Sequence, residues 1–457
     1  MGMINFIRNI MGRFQLFKLL YKWDSDYKKE FIITLLAFTL LTYSIIDIDY
    51  TILDFMAIGV EMWIIGLQLG SELSILPRQY RPSYAGVNYT TQTSLHIAYK
   101  ELSFLMSYVY PNKIEQKLHF KNPLRELLTA TESPLVSAHV DDELMLKKTI
   151  SYHENQNNRN FILSRHQIRY ICIRIANKLQ HTTNGESIGL PITADQLIGE
   201  KPIPIQKTTY FNALLTNEAF RSRIFRSNIK QKPELYTDLT SYFPVKKTFI
   251  DGIESIRFRD DFHTRVSGHG GITSLLLTEN NKVAMLYQGS RKAICADSIA
   301  LGGSGSMSYS DLAAAGNPDN FKDVIIHGMA RETCEETGME DYFNDIKENT
   351  IITGFFRWIN RCGKPEFVGI TKAGNVPFTQ HRSIDGDEII KFEEIPIKIN
   401  EMKDFIKVFD YIKKEKMNLA LSSLMALHRL TVIAGYNGTG ATKKQKQIYT
   451  SLNDFIK

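Results

Sequence analysis

The run Arg331-Glu332-Thr333-Cys334-Glu335-Glu336-Thr337-Gly338-Met339 puts Glu332, Glu335 and Glu336 at i, i+3 and i+4, so on a helix their carboxylates project from one face. Like charges at that spacing repel, and a solvated helix face would interleave them with Lys or Arg. Clustered carboxylate oxygens suit a hard divalent cation, Mg²⁺ or Mn²⁺, that stays partly hydrated and bridges to substrate phosphates. Arg331 can pair with a carboxylate one turn on. Gly338 lies where a helix ends in a left-handed cap, and Met339 can return to the core.

Outward from this run the pattern is that of a mixed sheet. Gly271 to Glu279 (GITSLLLTE), a turn at Asn280-Asn281, and Lys282 to Gln288 (KVAMLYQ) read as a hairpin. Ser298 to Gly303 leads into a glycine loop, and a helix from about Phe321 to Thr337 carries the acids. Thr350 to Trp358 and Glu366 to Ala373 read as strands either side of a turn at 360–363, with helices after Pro396 at Asp404 to Lys414 and Leu419 to Ile433. The basic tail residues Lys443, Lys444 and Lys446 read as solvated. His327, one turn before Arg331, reads as packed, and Cys334 as a filler on the inner face of the acidic helix.

The acidic run resembles the second half of a Nudix box, whose pattern is Gly, five residues, Glu, seven residues, then Arg-Glu-apolar-x-Glu-Glu-x-Gly-apolar. Thr333 stands at a usually aliphatic position. In the first half Asp323 stands at the place of the first Glu and Asn317 at that of the Gly. Gly302-Gly303 correspond to the Gly-Gly that opens the box, followed by a Ser/Gly/Ala-rich insertion from Ser304 to Asn320. The resemblance covers about residues 250 to 400 and implies an α/β/α sandwich. It also implies a hydrolase cleaving the diphosphate of a nucleoside diphosphate linked to another moiety, with Mg²⁺ or Mn²⁺ on Glu332, Glu335 and Glu336. One of these glutamates, or a downstream acid (Glu366 or Glu388), would be the base. Gly302, Gly303, Arg291 and Arg357 would meet the substrate, with Lys292 and Arg361 as further phosphate contacts, while Arg331 and Gly338 would be structural. Arg357 and Trp358, adjacent on a strand, point to opposite faces.

The 457 residues allow about three domains, and 43% apolar content permits a substantial core. A net charge of +6 does not argue for nucleic acid. Cys172, Cys295, Cys334 and Cys362 form no CxxC pair and fit a reducing compartment. Phe31 to Ile46 and about Thr51 to Gly70 are apolar segments around an acidic turn at Asp47 and Asp49, with Lys and Arg outside both ends. That arrangement predicts a two-helix hairpin in the inner membrane with both ends cytoplasmic. Glu61 would face a partner helix or a second copy of the chain, making homo-oligomers. The alternative is a soluble hairpin buried against the next domain.

The organisation read from the chain is therefore a membrane hairpin at 1–80 and a mainly helical middle region at 81–245. A Nudix-like catalytic domain at 246–400 and C-terminal helices at 401–457 follow. In the middle, Ser94 to Tyr108 and Arg165 to Leu179 read as helices, 180–205 as a linker, and Thr208 to Phe220 as a short helix. The basic run from Arg221 to Lys232 reads as a solvated connecting helix, or as a phosphate-attracting or membrane-facing patch. The alternative function is a nucleotide-sensing signalling or defence protein. In it the Nudix-like domain binds ADP-ribose or an NAD-derived signal and the hairpin is the output.

Overall fold

Every residue of GITSLLL is buried, as a strand covered on both faces requires. In the computed structural model the described residues are 93–99, 103–104, 116–117, 134–154, 167, 170, 185–220, 222–228, 231–243, 245–250, 253–258, 266–289, 298–316, 319–376 and 389–457. GITSLLL forms strand β12 (Gly271–Leu277) at the centre of a nine-stranded sheet. The order is β14 (Ile299–Ala300), β13 (Lys282–Gln288), β12, β17 (Lys364–Lys372), β16 (Thr350–Trp358), β4 (Pro134–Val136) and β3 (Gln116–Lys117). β15 (Ser304–Ser306) pairs with the first half of β12, and β18 (Ile389–Lys398) with β13. β12 and β17 run parallel, Gly271 opposite Glu366, and the remaining neighbours are antiparallel.

The side chains of β12 alternate between two apolar layers. Ile272 and Leu276 meet the acidic helix α5 (Phe321–Thr337) through Phe321, Val324, Ile325, Met329, Ala330 and Cys334. Leu275 and Leu277 join the opposite layer, built on α8 (Leu421–Ala434) with α7 (Asp404–Lys414) and α9 (Lys443–Ile456). The fold is therefore mixed α/β, with helices on both faces of the central sheet.

Four elements fall where the residue pattern puts them. β13, α5, β16 and α7 have the expected bounds. The hairpin between β12 and β13 turns at Asn281, whose φ of 54° is a left-handed value that Asn tolerates. Its ladder closes only at Leu277 and Val283, because β12 then pairs with β15. The basic tail is more than a solvated end: it forms α9, which buries Ile448, Leu452 and Ile456 and leaves its lysines outside.

The middle of the chain differs most from expectation. Where Ser94 to Tyr108 is described, it forms strands β1 (Thr93–Tyr99) and β2 (Ser103–Phe104) in place of the expected helix, and the rest of that stretch lies outside the described residues. Leu95 and Ile97 alternate with Ser94, His96 and Ala98, which is also a period of two. The described residues of the basic run fall in strands β8 (Ser222–Asn228) and β9 (Gln231–Asp238); β8 pairs with β1 on one side and with β9 on the other. The expected linker carries β6 (Glu186–Gly189), α2 (Ala194–Ile198) and the start of β7 (Ile203–Thr209). β7 also pairs with β5 (Tyr152–Glu154), and β10 (Val245–Ile250), β11 (Ile253–Phe258) and β2 form a third small sheet. Thr208 to Phe220 does turn helical, with α3 (Tyr210–Ala213) and a π-helical Leu214–Glu218.

Two compact units result, one within Met1–Lys100, Ile162–Asn184 and Leu214–Tyr242, the other within Glu101–Phe161, Gly185–Ala213 and Phe243–Lys457. One division between the units falls at Tyr242/Phe243, close to the expected 246, and the second unit also takes in earlier segments: the layer under α5 is completed by Ile188, Leu190, Ile192, Ile203 and Ile205 and by Val140 and Leu144 of α1 (Ala138–Leu146). The hairpin expected within 1–80 lies outside the described residues. Among the described residues no helix is long and apolar enough to cross a membrane.

α8 is buried along almost its whole length and carries Arg429 in its middle. Its guanidinium donates to Asp142 (2.7 Å), to the Thr353 carbonyl (2.8 Å) and to the Tyr436 hydroxyl (3.0 Å), and lies 3.6 Å from Asp141. α1, β16 and α8 are thereby tied through one cation. Burial pushes the Asp141 carboxyl up to about 6, against the opposing pull of Arg429. Because that value lies above the unfolded one, Asp141 contributes most to stability in acid and loses that contribution as pH rises through about 6. Removing Arg429 leaves buried acid uncompensated, so Arg429→Leu is expected to cost about 3–5 kcal/mol at pH 7. The loss should be smaller at pH 5, where Asp141 is protonated, and urea unfolding at the two pH values measures the difference.

Candidate active site

α5 begins with Asn320, whose side chain accepts from the Lys322 amide (3.2 Å) and the Ile150 amide (3.0 Å). It ends at Gly338 with φ 71°, the left-handed cap that a residue without Cβ adopts freely. Between these caps its outer face meets the glycine loop. A Cβ on Gly303 would lie 2.4 Å from Thr333 Cα, and one on Gly305 would lie 2.0 Å from the Glu332 carboxyl. Only glycine lets the loop pass this close. Gly302, with φ 151°, makes the turn that delivers it.

Arg331 locks loop to helix. Its Nε and Nη2 donate to Asp311 at 2.9 and 3.2 Å, and Nη2 donates to the Ser306 carbonyl at 3.0 Å. Its Nη1 donates to Glu332 (2.8 Å) and to Glu335 (3.0 Å). Three carboxylates share one guanidinium. Burial opposes the charge on Arg331, but Glu332, Asp311 and Glu335 together hold its pKa above the ordinary arginine value. Glu336, on the loop side, accepts from the Ser304 amide at 3.0 Å.

Asp311, in α4 (Asp311–Ala314), is the partner that the sequence reading missed. Asp323 lies eight residues before Arg331 in the same continuous helix, about 12 Å back along the axis. Asp311 is 1% exposed and also accepts from the Ser308 amide at 2.8 Å. The signal was present in the chain: five residues separate Gly305 from Asp311, as in the pattern's first half, and nineteen (312 to 330) separate Asp311 from Arg331. On that resemblance the insertion would sit inside the motif, between the first acid and the arginine.

Two expected site residues sit elsewhere. Arg357 is 1% exposed, with its guanidinium on the Gly363 carbonyl (3.2 Å) and the Ile192 carbonyl, so its donors are turned to the fold's own backbone. Trp358 points into the opposite layer, as alternation requires. Glu366 is buried, paired with Lys364 and accepting from Thr273 Oγ1 at 3.3 Å. It shares a face of β17 with Val368 and Ile370, the α8 side, so it stands across the sheet from Glu332. Its burial and its lysine partner fit a structural carboxylate better than a base. Arg361 stacks over Trp358 at 4.6 Å and is also buried. Arg291, Lys292 and Glu388 lie outside the described residues. His327 is buried against Phe343, and Cys334 packs on the inner face of α5.

As arranged, the acids of α5 face Arg331 and the loop amides rather than one common point. Among the described residues no group of three or more His, Cys, Asp or Glu side chains stands together as metal ligands do. The chemistry of the donor set nevertheless fits a cation. Burial raises the Glu332 carboxyl to about 7, opposed by Arg331 and reinforced by Glu336 and then Glu335. A carboxyl whose charge is disfavoured first by burial and then by neighbouring carboxylates is one that a divalent ion would favour in its ionised form.

No protein-family model matches this chain, and no curated protein matches it.

With its folded pKa above the ordinary 4.5, Glu332 contributes stability that is fully present below pH 4.5 and is lost as pH rises through about 7. In metal-free buffer the melting temperature should therefore fall between pH 5 and 8 more steeply in the wild type than in Glu332→Gln. Saturating MgCl₂ at pH 8 should raise it in the wild type alone. Thermal melts of both chains check this; equal slopes with no response to Mg²⁺ contradict it.

Proposed function

We infer that the chain is a divalent-metal-dependent hydrolase of the Nudix type, cleaving the diphosphate of a nucleoside diphosphate linked to another moiety. The observation that carries this reading is the seat of Glu332: a carboxylate under Gly305, next to Glu336 on the Ser304 amide, in a cluster where one guanidinium serves three acids. The Asp311–Arg331 pair supports it, because it restores the acid–arginine half of the motif that the sequence had left broken. The buried sheet with helices on both faces supports the α/β/α expectation.

Glu332 and Glu336 would hold Mg²⁺ or Mn²⁺, which when bound neutralises the diphosphate and lowers the pKa of a bound water. Glu335, whose side chain is 52% exposed, is the acid best placed to accept the proton of the attacking water. Attack on one phosphorus breaks a single P–O bond of the anhydride and releases a nucleoside monophosphate and the phosphorylated second moiety. Arg331 keeps Glu332 seated beside Asp311 while this happens. The apolar segments of 1–80, by their sequence, would tether the enzyme to a membrane.

One observation favours the sensor reading: the acids turn to Arg331 and to loop amides, which suits nucleotide binding without turnover. Full-length protein with Mg²⁺ and a panel of dinucleotides and nucleotide sugars separates the two. Release of a nucleoside monophosphate, reduced about 10²–10⁴-fold by Glu335→Gln or Glu336→Gln, is the expected result. Tight binding without turnover supports the sensor, and neither binding nor turnover refutes both.

A further inference from the structure

His269 is 3% exposed and sits just before β12, on the face of the sheet opposite α5. Its Nε2 lies 2.9 Å from Ser306 Oγ, while its Nδ1 is buried and has no hydrogen-bond partner among the described residues. Leaving a ring nitrogen unpaired in the interior costs stability, so the residue calls for an explanation. Burial first, then Lys364 and Arg361, hold the imidazole neutral well below the usual histidine range. Ser306, Gly271 and Glu366 stand in one row across β15, β12 and β17.

Ser306 is where the two faces of the sheet meet. Its carbonyl accepts from Arg331, and its hydroxyl meets His269. The same short strand supplies the Ser304 amide to Glu336 and the Gly305 backbone to Glu332. Moving this strand by a few tenths of an ångström would shift three supports of the acidic cluster at once. β12 fixes the strand through the backbone ladder at 271–273, and the His269–Ser306 contact fixes its end through side chains.

We propose that His269 is a positioning residue for the acidic site, acting through Ser306 on the seat of Arg331 and hence on Glu332 and Glu335. It touches neither substrate nor metal. The consequence for metal binding rests on the hydrolase reading; the mechanical coupling to Arg331 does not.

The test uses full-length protein and two measurements. Mn²⁺ affinity, followed by electron paramagnetic resonance, should fall about 10-fold in His269→Ala and in Ser306→Ala. The double variant should be no weaker than either single, because both break one contact. His269→Gln, whose amide can reach the position of Nε2, should recover most of the loss, which a generally damaged fold would not. Wild-type affinity in His269→Ala, or independent addition of the two losses, overturns the proposal. The second measurement needs no metal: urea midpoints for His269→Ala, Arg331→Lys and their double variant. Non-additive shifts support coupling through Ser306, and additive shifts overturn it. If the wild type binds no Mn²⁺, the hydrolase reading fails, while this cycle still decides the positioning role.

Discussion

One guanidinium joins the two halves of the candidate site. Arg331 reaches back to Asp311 and the Ser306 carbonyl in the loop, and forward to Glu332 and Glu335 on its own helix. A half-buried cation with five donors in a rigid fork is suited to this, since each bond it makes is charge-assisted and directional. The glycines are subordinate to it: Gly303 and Gly305 let the loop close to within reach of the fork. Without Arg331 the helix would present clustered like charges with nothing to space them.

The helix that carries Arg331 is held from below by residues distant in sequence. Ile188, Leu190, Ile192, Val140 and Leu144 pack against Phe321, Val324, Ile325 and Met329, and the chain at 188–190 hydrogen-bonds to Gly268, Gly270 and Met307. The loop bearing the site is thus braced by a segment more than a hundred residues earlier. On the far side of the sheet the Arg429 network performs a comparable service for α8, tying it to α1 and β16. There a buried cation is made tolerable by its partners Asp142, Tyr436 and the Thr353 carbonyl.

What the chain disclosed by reading alone follows from the range of the forces involved. α5 was legible to the residue because its caps, Asn320 and Gly338, and its acid spacing are local. β16 was legible because Thr350 to Trp358 is a long run rich in β-branched and aromatic residues. Asp311 was missed because the motif is interrupted, and the pairing that reveals it is closed by tertiary structure across 312–330. Glu366 lies on the other face because a strand's period of two tells that neighbours face opposite ways but not which face carries the site, whereas Arg357 is on the α5 face and is set apart by burial on the Ile192 and Gly363 carbonyls, which only the tertiary fold supplies. The strand at 93–99 was hidden because its apolar spacing fits a helix as well as a period of two, and those at 222–228 and 231–238 by basic and polar residues, for which sheet pairing outweighs local preference.

The most direct measurement is the anomalous scattering of crystals grown in saturating MnCl₂. A peak about 2.0–2.3 Å from carboxylate oxygens of Glu332 and Glu336, with Glu335 released from Arg331 toward the ion, is the expected result. An ordered cluster with no peak, and with Arg331 still bridging Asp311, Glu332 and Glu335 at that concentration, would contradict it.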